Sequence, residues 1–215
     1  MAEYTRARST IQKQERMLEI MSATEKLFSE QTYHNITLTT IAKSLHWSRS
    51  NLYKYVTAKE EIFLELYLKK QRHYFNCITN AFENEVCSSD SEKAELVTDV
   101  LFRNQDFLRY FSILSTIIET NVSVVKLAQF KKQSTDDLQI LVISLSTNFQ
   151  IPYDLAMKFH WILLSYASGI INSSVPNHVL DEALKLAGIP KINISFHDEI
   201  KDFIMIYLKG CNTSL

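Results

Sequence analysis

The sequence predicts an all-α protein, and three observations predict it. Glycine and proline occur only three times each in 215 residues, so the punctuation that many tight turns require is missing. Apolar residues recur at i, i+3, i+4 and i+7 along most of the chain, the period of a helix with one buried stripe. Thr37, Ser48, Thr57 and Ser195 stand just ahead of such runs, where a hydroxyl oxygen satisfies backbone donors left open in a first helical turn.

The first helix is expected over about residues 10–30, because Met17, Ile20, Met21, Thr24, Leu27 and Phe28 fall on one face. Thr37 then caps a helix of about two turns carrying Leu38, Ile41, Ala42 and Leu45. Leu45-His46-Trp47-Ser48 reads as a tight turn, after which Ser48 caps a third helix from Arg49 to about Val56 with Leu52 pointing inward. Two short helices joined this closely form a helix-turn-helix. A fourth helix starts at Ala58, where Thr57-Ala58-Lys59-Glu60 matches a capping box, and continues through Ile62, Phe63, Leu66 and Tyr67.

The third helix is richer in hydrogen-bonding side chains than a core requires: Arg49, Ser50, Asn51, Tyr53, Lys54 and Tyr55. In a DNA major groove, arginine pairs with guanine and asparagine with adenine, while tyrosine and lysine suit phosphates. The alternative is a solvated face with two tyrosines packed on their neighbours. Lys59, in the first turn of the next helix, opposes the positive end of the helix dipole, a small cost that a bound phosphate would reverse and that Glu60 and Glu61 also offset. The charge distribution agrees with a polyanion partner for this region: residues 1–72 carry +4 and residues 73–215 carry −5, within a net charge of −1.

From Met17 to Phe63 the chain resembles the TetR (tetracycline repressor-like) family of bacterial transcription regulators. The resemblance is carried by Ala23, Leu27-Phe28, Tyr33, Thr37, Ile41-Ala42, the run from Ser48 to Tyr55, and Lys59-Glu60-Glu61-Ile62, in matching order and spacing. Thr32 and His46 stand where the family usually has glycine, and histidine accepts a positive φ better than branched residues do. Leu45, Trp47 and Val56 replace the family's frequent alanine, valine and phenylalanine. The resemblance implies that Arg49, Ser50 and Asn51 face bases and that Thr37, Tyr53, Tyr55 and Lys59 hold the backbone; Ser48 and Lys54 complete the expected DNA-facing set. It further implies a homodimer on a palindromic operator in double-stranded DNA and a bacterial, cytoplasmic regulator, with the DNA-binding domain over residues 1–57 and a dimerisation and effector domain over 58–215.

Six helices are expected after the first three. They include one from Glu92 to about Phe102, one after Asn104 through Phe107, Phe111 and Ile118, and one from Val122 to about Phe149. Another carries Leu155, Phe159, Ile162, Leu163, Tyr166 and Ile170, widened by Trp161, Leu164 and Ile171 until it is apolar almost all round, which demands burial on several sides. The last is capped by Ser195 in Ser195-Phe196-His197-Asp198 and lines up Phe196, Ile200, Phe203, Ile204, Tyr207 and Leu208. These last two helices are the expected dimer interface, through Phe159, Ile162, Leu163, Tyr166, Ile170, Ile200, Phe203, Ile204 and Tyr207, because such apolar faces would otherwise lie exposed.

No catalytic constellation is visible, and an enzyme is not expected. No two glycines lie closer than nineteen positions, which removes the glycine-rich phosphate cradles. His73 and Cys77 stand at i, i+4, but no nearby pair completes a metal site, and no cofactor is expected. His160 reads as a satisfied core histidine. Phe102, Phe107, Tyr110, Phe111 and Phe149 are core or, equally in residue type, the lining of a pocket for a mostly apolar small molecule; Phe107, Tyr110 and Phe111, with Glu119 and Asn121 to orient it, form the candidate effector set. Glu119 reads either as a half-buried carboxylate in such a cavity or as a helix-terminal surface residue. The three cysteines, Cys77, Cys87 and Cys211, fit a reducing cytoplasm, and the longest oily stretch, residues 161–171, is too short for a bilayer that needs about 20 residues. The competing function is a helical adaptor whose helix-turn-helix no longer reads DNA.

Overall fold

The structure, a computed structural model, describes the backbone of residues 2–173, 178–192 and 194–212. Among them are ten α-helices and no strand: α1 (Ala2–Glu30), α2 (Leu38–Ser44), α3 (Arg49–Leu52), α4 (Lys59–Asn84), α5 (Asp90–Arg103), α6 (Gln105–Ile113), α7 (Val124–Phe149), α8 (Tyr153–Ser173), α9 (His178–Ala187) and α10 (Phe196–Asn212). Seven of these follow the first three where six were expected. A π-helical turn, Leu114–Ile118, and a 3-10 turn, Glu119–Asn121, separate α6 from α7. The chain packs as two units, one of residues 1–69 with 114–131 and the other of residues 70–113 with 132–215.

In the first unit, the buried side of α1 presents Ile20, Met21, Thr24 and Phe28, the stripe that the 3.6-residue period predicts. Phe63 of α4 is its centre: Phe28 and Tyr33 meet it edge-on at 5.2 and 5.0 Å, and Ile41, Leu52, Val56 and Ile62 are buried in the same unit. Truncating so enclosed a ring costs about 3–5 kcal/mol through lost burial and the cavity left behind. Tyr67 meets Phe130 at 5.5 Å further along α4.

The second unit is built on α5 against α10, α6 against α8, and α8 against α10. The start of α5 is set by a full capping box: the Glu92 amide donates to Ser89 Oγ at 3.2 Å and the Ser89 amide to the Glu92 carboxylate at 3.3 Å, which moves the helix start ahead of Glu92. Three rings form the centre. Tyr74 is stacked between Phe107, at 5.2 Å, and His160, at 6.0 Å. His160 is buried with Nδ1 lacking a hydrogen-bond partner, and burial pushes its pKa down to about 3, so the imidazole is neutral.

Helix α8 corrects one expectation. Ala156, Phe159, His160, Leu163, Leu164 and Ala167 make its buried side, whereas Trp161 is 61% exposed, so in the single chain the helix is covered on one side and not all round. Phe102, expected inside, is also exposed, at 52%, touching Phe196 at 6.1 Å; Phe107, Tyr110 and Phe149 are buried, and Phe111 is half-buried.

Candidate nucleic-acid interface

The helix-turn-helix is assembled by backbone groups that the sequence leaves unpaired. Thr37 Oγ1 accepts from the Thr40 amide at 3.1 Å, and Thr40 Oγ1 accepts from the Thr37 amide at 2.9 Å, closing the first turn of α2. At its other end the Trp47 amide donates to Ala42 O at 2.8 Å and the His46 amide to Lys43 O at 3.1 Å. This pair of bonds is the left-handed helix stop, and it places His46 at φ 56°. A side chain there costs about 1 kcal/mol relative to glycine. Ser48 Oγ then accepts from the Asn51 amide at 3.2 Å and starts α3.

Helix α3 is shorter than the sequence suggested. One α-helical turn, Arg49–Leu52, passes into turns over residues 53–55, with the Tyr55 and Val56 amides both donating to Leu52 O. The anchors of this segment are Leu52 and Val56, both buried. Ser48, Arg49, Ser50, Tyr53 and Lys54 are exposed, and Asn51 and Tyr55 are half-buried. Arg49 Nη2 donates to the Tyr53 hydroxyl at 3.2 Å, with the guanidinium 5.8 Å from the ring centre. Tyr55 leans on Trp47 at 5.8 Å, and Arg16, paired with Glu19, covers that indole at 5.5 Å. The segment therefore offers a guanidinium, three hydroxyls and an ammonium to solvent from a few neighbouring positions, on a base fixed by two apolar side chains.

Lys59 and Thr37 are placed differently. The Lys59 ammonium donates to Ile36 O at 2.7 Å and Tyr33 O at 3.0 Å and lies 3.7 Å from the centre of the Tyr33 ring. Burial lowers its pKa, with Glu60 opposing. Two of its three donors thus close the turn that precedes α2, leaving one for a phosphate. The Tyr33 hydroxyl donates to Glu60, and burial followed by that bond pushes the phenol pKa far up. With Glu60 so engaged, the Thr57 hydroxyl bonds Glu61, and α4 begins at Lys59 without the expected Thr57–Glu60 exchange. Thr37 remains exposed beside its cap.

The other expected sets are less compact. Phe107, Tyr110 and Phe111 belong to the second unit, Glu119 and Asn121 to the first. The Glu119 carboxylate accepts from Lys131 at 2.6 Å, and Asn121 Nδ2 donates to Ile117 O at 2.7 Å. An open-sided groove of about 770 Å³ in the second unit is lined instead by α4 and α5, through His73, Cys77, Asn80, Glu95, Asp99 and Arg103 among others. Of the expected dimer residues, Phe159, Leu163, Ile170, Ile200 and Ile204 are buried within the single chain, while Ile162, Phe203 and Tyr207 are half-buried and Tyr166 is exposed. Tyr166 stands 5.1 Å from Phe203 and donates to Glu199 at 2.6 Å. Trp161 and Ile206, outside the expected set, are the more exposed apolar side chains of α8 and α10; their places on the helices opposite the buried stripe were the available signal.

Residues 20–66 match the family model described as bacterial regulatory proteins, tetR family. Residues 68–214 match the one described as tetracyclin repressor-like, C-terminal domain. No curated protein matches the chain. Among solved structures, the chain is similar to the fatty acid degradation regulator FadR from Bacillus halodurans, at 17% identity and a TM-score of 0.56, over 90% of this chain and 94% of that one. A protein from Mesorhizobium loti MAFF303099 assigned to the TetR family of transcriptional regulators gives 16% identity and 0.59 over 94% and 97%. The TetR family repressor AlkX from Dietzia sp. strain DQ12-45-1b, implicated in biodegradation of n-alkanes, gives 13% and 0.53 over 92% and 95%. At these identities the likeness is one of fold. Among the described residues, no helix is long and apolar enough to cross a membrane.

Proposed function

The chain belongs to the tetR family of bacterial regulatory proteins, and on that premise we propose that it is a homodimeric, sequence-specific repressor of transcription that a small molecule releases from DNA. The reading is carried by one observation, the exposed run Ser48, Arg49, Ser50, Tyr53 and Lys54 held on a single capped turn by Leu52 and Val56. Arg49, Ser50 and Asn51 read bases; Thr37, Tyr53, Lys54, Tyr55 and the remaining donor of Lys59 hold phosphates. Residues 1–57 supply this reading head and residues 58–215 the dimer and the effector site.

One such head covers only a few base pairs, so a useful specificity ratio needs two, about one helical turn of DNA apart on a palindrome. The dimer forms through the outward side of α8 and α10, where Trp161, Tyr166, Phe203 and Ile206 meet solvent, rather than through the core-facing residues of the same helices. The effector enters the groove of about 770 Å³ between α4 and α5, whose volume suits a drug-sized molecule, because Phe107 and Tyr110 are packed shut. Switching from 99:1 to 1:99 between operator-bound and released forms requires about 5.5 kcal/mol of differential affinity from that molecule.

Titrating the protein onto a selected duplex and onto random duplex across a salt series tests the reading. A repressor prefers the selected duplex and loses affinity steeply with salt as phosphate-bound counterions are displaced. An adaptor with a silent helix-turn-helix shows neither effect.

A further inference from the structure

Helix α5 sets Glu95 and Asp99 one turn apart on one face, and the second residue of α10, His197, comes to rest between them. His197 Nε2 lies 3.1 Å from Glu95 Oε1 and 3.2 Å from Asp99 Oδ1, and one donor atom from each residue fits within 4.8 Å of the other two. The outer oxygens are held from the far side. Glu95 Oε2, sealed from solvent, faces the Lys201 ammonium at 2.5 Å, and Asp99 Oδ2 accepts from Arg103 Nη2 at 3.4 Å. The two cations grip each carboxylate by the oxygen that points away and leave Oε1 and Oδ1 converging with the imidazole nitrogen.

Donors bound about 2.1 Å from a shared ion stand about 3.0 Å apart in an octahedron and about 3.4 Å apart in a tetrahedron. Both separations from the imidazole nitrogen fall between these values, and the two carboxylate oxygens lie within 4.8 Å of each other. Glu95 and Asp99 also line the α4–α5 groove, which supplies an entry path and room for water to fill the remaining coordination positions. We infer that Glu95, Asp99 and His197 form a binding site for a first-row divalent transition ion of the Zn2+ or Co2+ kind, held by one imidazole nitrogen and two carboxylate oxygens. Imidazole among the donors selects such ions over Ca2+ and Mg2+, which prefer all-oxygen shells. Lys201 and Arg103 are orienting partners whose positive charges hold the affinity in a modest range. The bound ion ties the start of α10 to α5, so occupancy stabilises the second unit.

The ion shares Glu95 and Asp99 with the lining of the groove assigned to the effector, but its uptake is read without DNA or effector, so it can fail while those readings stand. The test uses the untagged full chain, stripped with chelator and titrated with Zn2+ calorimetrically and with Co2+ by visible absorption. The expected result is one ion per chain, a Co2+ spectrum of nitrogen and oxygen ligation without the sulfur-to-metal band of a thiolate, and a raised melting temperature. His197→Gln, which keeps a hydrogen-bonding side chain in place, weakens binding at least about tenfold without loss of helical signal. The competing account is an ion-free cluster in which His197 hydrogen-bonds the carboxylates directly. No saturable Zn2+ uptake, or uptake that survives His197→Gln, overturns the proposal.

Discussion

The guanidinium of Arg49 is parked on Tyr53, donating to its hydroxyl at 3.2 Å with its carbon 5.8 Å from the ring centre. Such exposed stacking holds the side chain with about 0.5–1 kcal/mol, which a bidentate pair with guanine exceeds. The arginine is therefore presented in one orientation yet can be taken up by a base. Arg49→Ala is expected to cost about 1–3 kcal/mol on the selected duplex and far less on random duplex. Tyr53→Phe, which keeps the ring and loses the hydroxyl, should weaken both equally. Parallel binding titrations decide it, and equal losses for Arg49→Ala would remove its base-reading role.

Lys59 gives a separable outcome, because its ammonium closes the turn ahead of α2 before any DNA arrives. Replacement by alanine leaves Tyr33 O and Ile36 O without this donor, and Lys59→Ala should destabilise the free protein by about 1 kcal/mol, less than a fully buried charged hydrogen bond is worth because the group is half-exposed. Urea unfolding of the free protein measures this. Unchanged stability with weakened DNA binding would make phosphate contact its whole role.

Neighbouring isoleucines of α10 distinguish dimer from core. Ile206 is 70% exposed, whereas Ile204 is fully buried. Ile206→Asp is expected to give a folded monomer by sedimentation with helical content intact. Ile204→Asp places an unpaired carboxylate in an apolar interior, costing about 4 kcal/mol or more, and should give insoluble or unfolded protein. An Ile206→Asp protein that still sediments as a dimer would move the interface elsewhere.

His160 sets an acid limit. Its pKa falls from the ordinary 6.5 to about 3 in the fold, so below 6.5 the unfolded chain takes up a proton that the native protein does not. The stability from keeping this ring neutral is complete above pH 6.5 and is lost as pH falls toward 3. Between pH 7.5 and 5 the loss should be about 2 kcal/mol. His160→Phe keeps a ring in the stack and should remove that part of the slope, measured by denaturant unfolding at both pH values.

The local signals in the sequence were faithful where a single side chain decides a single backbone group. Thr37, Ser48 and Ser195 each mark a helix start, and His46 takes the left-handed conformation expected at the position where the resemblance called for glycine. What could not be read was partner choice over distance. Thr57 and Glu60 have capping-box spacing, yet Tyr33, 27 positions before Glu60, claims that carboxylate. Isoleucines 204 and 206 are alike in composition and differ only in which way α10 turns them. Glu95 and His197 are separated by most of the second unit, and no spacing rule joins them.

The chain's two tryptophans fall one in each unit. Trp47 sits against Tyr55 and under Arg16 beside the proposed DNA-reading turn, and Trp161 stands in solvent at 5.6 Å from Phe111. Native emission is thus two spectroscopic channels. The Trp47→Phe protein isolates an indole that starts red-shifted and moves to the blue when a second copy covers it, while Trp161→Phe isolates one that answers to DNA. Self-association and DNA capture can then be timed separately, without a dye, one on each variant.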